Sequence, residues 1–161
     1  MKKAIYPGTF DPITNGHIDI LKRSLKIFDE VTLLVAEHYS KETIFTPEER
    51  KELIEIALKD IKNVRVDVWL GLIADYVNKN KIDAVIRGMR AISDFEYEFQ
   101  MGMMNRSLSP NIEIIYFFPD EKYIFLSSRI LKEIAYFDGD ISEFVPEEVA
   151  KRLKERIKES K

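Results

Sequence analysis

The sequence predicts an α/β fold, a single domain built on a doubly wound sheet of five parallel strands. Three observations predict it. Five short apolar runs occur at residues 4–6, 31–36, 64–68, 84–86 and 112–118. The segments between them are helical in spacing and ten or more residues long, which implies right-handed βαβ units and a parallel sheet. The chain has 161 residues, the length of one ordinary domain, with no linker, repeat or low-complexity tract to divide it.

The elements follow in order. Ala4-Ile5-Tyr6 is a short strand that ends at Pro7-Gly8. Ile18, Leu21, Leu25 and Phe28 recur at helical spacing, so a helix is expected over 17–28. Residues 31–36 are β-branched and leucine-rich, as a strand buried on both faces requires. Thr46-Pro47-Glu48-Glu49 starts a helix: Thr46 caps it, Pro47 suits the first position and Glu49 completes a capping box. Val64-Arg65-Val66-Asp67-Val68 alternates as a half-exposed strand. Leu72, Ile73, Tyr76 and Val77 mark a third helix, and Ala84-Val85-Ile86 a fourth strand. Ser93-Asp94-Phe95-Glu96 repeats the capping-box pattern ahead of a helix through about Arg106. After the fifth run, Leu126, Ile130 and Ile134 share a helical face, and a charged final helix begins near Pro146.

Composition narrows the function. Hydrophobic residues make up 45% and charged residues 33%, a globular balance with no run near the 18 or so apolar residues of a membrane span. Nothing behind Met1-Lys2-Lys3 resembles a signal peptide. The absence of cysteine excludes disulfides, thiolate nucleophiles and Cys-ligated metal, so a cytoplasmic location is expected. His17 and His38 are the only histidines, so a divalent metal would ride on carboxylates or on substrate phosphates. A net charge of −3 argues against a nucleic-acid partner, though not against a local basic pocket.

In doubly wound sheets ligands bind beyond the carboxyl ends of the strands, and three such segments stand out. Tyr6-Pro7-Gly8-Thr9-Phe10-Asp11-Pro12-Ile13-Thr14-Asn15-Gly16-His17 follows the first strand. Gly8 permits close backbone approach there and Thr9 offers a hydroxyl. His17 stands at a helix start, where free amides and the dipole attract phosphate; a lone histidine there can equally be a packing residue. Arg87-Gly88-Met89-Arg90 follows the fourth strand. Its arginines suit bidentate phosphate contacts, or surface ion pairs with Asp83 or Asp94. Tyr123-Ile124-Phe125-Leu126-Ser127-Ser128-Arg129 opens a helix, where the two serines either cap it or present hydroxyls and amides to phosphates. Met101, Met103 and Met104 form an apolar patch better suited to packing than to cofactor contact.

Thr14-Asn15-Gly16-His17 resembles the (H/T)xGH signature of the nucleotidyltransferase superfamily. The whole block from Tyr6 to His17, with Ile86-Arg87-Gly88-Met89-Arg90-Ala91 and Asp94-Phe95-Glu96-Tyr97-Glu98, resembles the bacterial phosphopantetheine adenylyltransferase family over about residues 3–150. The resemblance implies a Rossmann-like nucleotidyltransferase fold. It implies reversible adenylyl transfer from ATP to 4′-phosphopantetheine, giving dephospho-coenzyme A and pyrophosphate, with Mg²⁺ carried mainly by the ATP phosphates. A homohexamer and feedback inhibition by coenzyme A are implied too. By the same resemblance Thr9 and Phe10 contact ATP, Thr9 also touches the acceptor, and His17 binds the ATP phosphates and stabilises the transition state. Gly88, Met89, Arg90, Glu98 and the stretch Tyr123, Ile124, Phe125, Leu126, Ser127, Ser128 and Arg129 match ATP-binding positions. Lys41 and Arg87 match ligands of the acceptor phosphate; Ile73, Tyr97, Asn105 and Glu133 match the pantetheine path. Lys41 is also a loop lysine that solvent alone could account for. At Arg129 the pattern departs, because relatives commonly carry a third small hydroxyl residue there.

One anionic phosphate attacking another needs orientation and positioned cations, not a covalent protein step. Direct in-line attack is therefore the expected mechanism. The alternatives are a sister nucleotidyltransferase with another acceptor, disfavoured by the Arg-Gly-Met-Arg and Phe-Glu-Tyr-Glu blocks, and a non-catalytic nucleotide sensor, disfavoured by the retained His17 and arginines.

Overall fold

A computed structural model describes residues 1–37, 42–90 and 92–160. Five strands, β1 (Lys3–Gly8), β2 (Glu30–Ala36), β3 (Val64–Trp69), β4 (Ala84–Gly88) and β5 (Glu113–Phe117), form one sheet in the order β3-β2-β1-β4-β5. Every pairing is parallel; Ala4 of β1 lies between Val31 of β2 and Ala84 of β4. The helices are α1 (Asn15–Ser24), α2 (Pro47–Ala57), α3 (Ile73–Asn80), α4 (Ile92–Leu108), α5 (Ser128–Tyr136) and α6 (Glu147–Ser160), with a 3₁₀ turn at Glu121–Tyr123. None of the described helices is long and apolar enough to cross a membrane.

The sheet sorts its side chains by the period of two that a strand imposes. Ala4, Tyr6, Val31, Leu33, Val35, Ala84 and Ile86 join the larger core with residues of α1, α2, α5 and α6. Ile5, Leu34 and Val85 point the other way, into a smaller core with Tyr76, Val77 and Ile112. β1 and β2 are buried along their length, whereas β3 alternates half-buried valines with exposed Arg65 and Asp67, as an edge strand should.

Two expected helix boundaries differ. α1 ends at Ser24 instead of continuing to Phe28; Leu25 caps it, and Phe28 reaches the core from the turn beyond. α4 is already helical at Ile92, so Ser93 lies inside its first turn and is not the N-cap. The Thr46 capping box has the expected form: Thr46 Oγ1 accepts the Glu49 amide at 3.2 Å and a Glu49 carboxylate oxygen accepts the Thr46 amide at 2.8 Å.

Candidate active site

The strand order reverses between β1 and β4, and a cavity of about 790 Å³ opens beyond their carboxyl ends. This is where a doubly wound sheet leaves room for a ligand, because the helices that follow the two strands depart to opposite faces.

The loop after β1 is fixed from several sides. Phe10 adopts a positive φ of 49°, and its buried ring meets the Tyr6 ring edge-on at 5.4 Å and the His17 ring at 5.1 Å. A Cβ on Gly8 would lie 2.9 Å from the Phe10 ring, so glycine is required here by the fold as well as being suited to a ligand. Asp11, 2% exposed and joined to Pro12 by a cis bond, accepts the backbone amides of Ile44 and Phe45 and the Lys132 ammonium at 2.8 Å. Buried Arg50 donates to the Thr9 carbonyl at 2.8 Å; burial pulls its pKa down, opposed mainly by the charge of Asp11.

His17 is the third helical residue of a capping box in which histidine replaces the usual glutamate. The Thr14 amide donates to His17 Nδ1 at 3.1 Å, and Thr14 Oγ1 accepts the His17 amide at 3.3 Å. A ring nitrogen that accepts from an amide carries no hydrogen, so the neutral ring holds its proton on Nε2. His17 lines the cavity as a donor of fixed tautomer.

Arg87 enters from the end of β4 and makes a bidentate pair with Glu98 of α4, both contacts being 2.6 Å. Burial works against its charge, and the Glu98 contacts override burial, leaving the Arg87 pKa above its ordinary value. The pair is with Glu98, whereas the Asp83 carboxylate accepts the Lys3 amide. Arg90 donates to the Leu126 carbonyl at 2.8 Å and ties the β4 end to the approach to α5. Burial raises the Tyr6 phenol well above its ordinary pKa, so it stays protonated against this cluster. A Cβ on Gly88 would come within 2.6 Å of the Ile20 side chain.

Both serine hydroxyls have structural partners. Ser127 is the N-cap of α5 and accepts the Ile130 amide at 3.1 Å; Ser128 donates to the Pro12 carbonyl at 3.1 Å.

Of the sequence-derived candidates, Thr9, Phe10, His17, Ile73, Arg87, Gly88, Arg90, Tyr97, Glu98, Tyr123, Leu126, Ser127, Ser128 and Arg129 line the cavity. Asn105 lies instead on an adjoining cavity of about 40 Å³ that shares Ile73, Arg87 and Glu98 with the first. Met89, Ile124, Phe125 and Glu133 line neither; Phe125 is 86% exposed. Lys41 lies outside the described residues. Met101 lines both cavities, while Met103 and Met104 are exposed. Sequence reasoning missed Asp11 and Lys132 as lining residues. Among the described residues no group of three or more His, Asp or Glu side chains is placed to hold a metal ion.

A cytidylyltransferase-like family model matches residues 5–134. A phosphopantetheine adenylyltransferase of Dictyoglomus thermophilum is 53% identical over 157 residues, covering 98% of this chain and 96% of the relative. One from Thermotoga neapolitana is 46% identical over 158 residues, covering 98% of each chain. The crystal structure of a bifunctional NMN adenylyltransferase/ADP ribose pyrophosphatase from Francisella tularensis superposes with a TM-score of 0.72 at 15% identity, over 98% of this chain and 50% of that one, which speaks for the fold alone. With a matching family model over most of its length and relatives near half identical along nearly all of it, the chain belongs to the phosphopantetheine adenylyltransferases of the cytidylyltransferase-like nucleotidyltransferase family.

Proposed function

We propose that this chain is a single-domain enzyme that transfers the adenylyl group of ATP to 4′-phosphopantetheine, reversibly, giving dephospho-coenzyme A and pyrophosphate in coenzyme A biosynthesis. The observation that carries the reading is the meeting of His17, Arg87 and the start of α5 around one cavity at the sheet's switch point, in a chain so close to adenylyltransferases of that specificity.

In this reading an oxygen of the acceptor phosphate attacks the α-phosphorus of ATP. A new P–O bond forms, the bond to the β-phosphate oxygen breaks, and pyrophosphate leaves with that oxygen. No protein nucleophile is required. The chain has no cysteine, and the Ser127 and Ser128 hydroxyls already serve as cap and loop tie. Arg87 would hold the acceptor phosphate, with Glu98 fixing the guanidinium plane. Lys41 would assist it, a role that rests on the resemblance alone. His17 would donate Nε2–H to oxygen charge developing at the α-phosphorus, and its tautomer, set by the Thr14 amide, supports this role. Arg90, Arg129 and the first amides of α5 would hold the remaining ATP phosphates. Mg²⁺ would arrive with ATP and neutralise β- and γ-phosphate oxygens. A cytoplasmic location, inhibition by coenzyme A and a homohexamer complete the proposal.

Incubation with ATP, Mg²⁺ and 4′-phosphopantetheine should yield dephospho-coenzyme A by mass spectrometry; turnover with nicotinamide mononucleotide instead would overturn the acceptor assignment. Arg87→Ala should raise the KM for 4′-phosphopantetheine much more than that for ATP, and an equal rise in both would count against its role.

A further inference from the structure

Among the described residues the cavity lining is balanced in charge: it carries Arg87, Arg90, Arg129 and Lys132 against Asp11, Glu37, Glu42 and Glu98. Glu37 and Glu42 are exposed and screened by solvent, but the buried or half-buried carboxylates must be cancelled where they stand for a polyphosphate to enter, because like charges in a partly dry cleft repel strongly. Glu98 is cancelled by Arg87. Asp11 is the harder case, since its side chain is 3% exposed and sits within the motif loop itself. Two backbone amides, from Ile44 and Phe45, fix its geometry but bring only partial charge. Buried Arg50 feels the Asp11 charge but spends its guanidinium on the Thr9 and Thr46 carbonyls, and the ion pair of Asp11 among the described residues is with Lys132, at 2.8 Å. Lys132 stands four residues after Ser128, so the two occupy neighbouring positions on one face of α5, and both line the cavity.

We propose that Lys132 is a positioning residue for adenylyl transfer: its ammonium cancels Asp11 and pins it, so that the motif loop and the 44–45 segment hold one arrangement and the ATP phosphates meet no bare carboxylate at Asp11. This rests on the ATP-dependent reading above. The pair joins three segments at one point, namely the loop after β1, the approach to α2 and the second turn of α5.

The test uses the full chain with Lys132→Gln, Lys132→Arg and the double variant Asp11→Asn/Lys132→Gln. Glutamine keeps a hydrogen-bond donor toward Asp11 and removes the charge; arginine keeps both. ATP binding is measured by titration calorimetry and melting temperature on the same samples. Lys132→Gln should weaken ATP binding by about tenfold or more, and Lys132→Arg should restore most of it. The double variant should bind ATP more tightly than Lys132→Gln, because the unpaired carboxylate is gone, even if it melts lower. A merely structural lysine would lower the melting temperature and leave the affinity of the folded protein unchanged. Wild-type affinity in Lys132→Gln, or a double variant that binds no better than the single one, overturns the proposal. The Gln-against-Arg comparison decides even if the double variant fails to fold. Wild-type protein that binds no ATP overturns the functional reading, and this inference falls with it.

Discussion

At the scale of the residue, the site depends on which atoms are already committed before any substrate arrives. His17 shows this most clearly. Its Nδ1 is taken by the Thr14 amide, so only Nε2 can carry the hydrogen that a developing oxyanion needs. The same residue closes the capping box of α1, which puts a helix-terminal structural motif and the proposed catalytic donor in one side chain. Contact with the edge of the Phe10 ring at 5.1 Å limits the rotation of the imidazole further. Removal of a donor preorganised in this way costs transition-state stabilisation more than ground-state binding. His17→Ala is therefore expected to lower kcat by about 10²–10³-fold with a much smaller change in the KM for ATP. A kcat within a few-fold of wild type would remove His17 from the mechanism. Circular dichroism on the same sample separates this loss from fraying of α1.

At the scale of the element, much was legible, and what was not has a physical reason. The strands were legible because buried parallel strands are continuous apolar runs, and β3 because an edge strand alternates. The capping box of α2 was legible because its partners are three residues apart; the similar pattern at Ser93 misled because a helix already under way at Ile92 needs no cap there. The order β3-β2-β1-β4-β5 was not legible, since apolar runs carry no label for their neighbours. The Arg87–Glu98 and Asp11–Lys132 pairs were not legible either: the first joins a strand end to a helix, and the second spans 121 residues of sequence. The packing of α2 on α6 yields a prediction at this scale. Glu49 completes the α2 cap and also pairs with Arg156 of α6, and that contact, followed by the Thr46 amide, holds its carboxyl below the ordinary carboxylate range. A depressed folded pKa stabilises above the unfolded value, about 4.3, and that contribution is lost as pH falls through the folded pKa. The melting-temperature gap between wild type and Glu49→Gln should thus be widest near neutrality and close as the pH is lowered toward 3. A gap that held constant across that range would show that the charge contributes nothing.

At the scale of the whole molecule, the two faces of the sheet are unequally covered. One carries the large core with α1, α2, α5 and α6; on the other, among the described residues, a smaller core of six buried residues includes Tyr76 and Val77 of α3. α4 distributes apolar and polar residues around its circumference instead of confining the apolar ones to a single core-facing stripe, so large apolar side chains also stand on its outer side. Phe99 is 54% exposed, Met103 54%, Met104 58% and Leu108 49%, and the rings of Phe95 and Phe99, each about half exposed, stack at 5.8 Å. Side chains of this size each gain about 1.5–3 kcal/mol on full burial, and a contiguous patch of them marks an association surface. Most assemblies of one soluble chain have closed symmetry, and a patch repeated on each copy is what such an assembly covers. This bears on the assembly in the functional proposal by placing α4 at a subunit boundary; the number of subunits is left to that proposal. It also bears on the active site, because α4 carries Glu98 and thereby the orientation of Arg87. The expected outcome is a wild-type particle of six times the 18.9 kDa chain mass by sedimentation, and a smaller species for Phe99→Glu/Met104→Glu, neither of which lines the cavity. The dissociated variant should bind 4′-phosphopantetheine more weakly, since loss of the α4 contacts frees the helix that steadies Arg87. An unchanged mass for the variant would move the boundary away from α4, and a monomeric wild type would remove the assembly altogether.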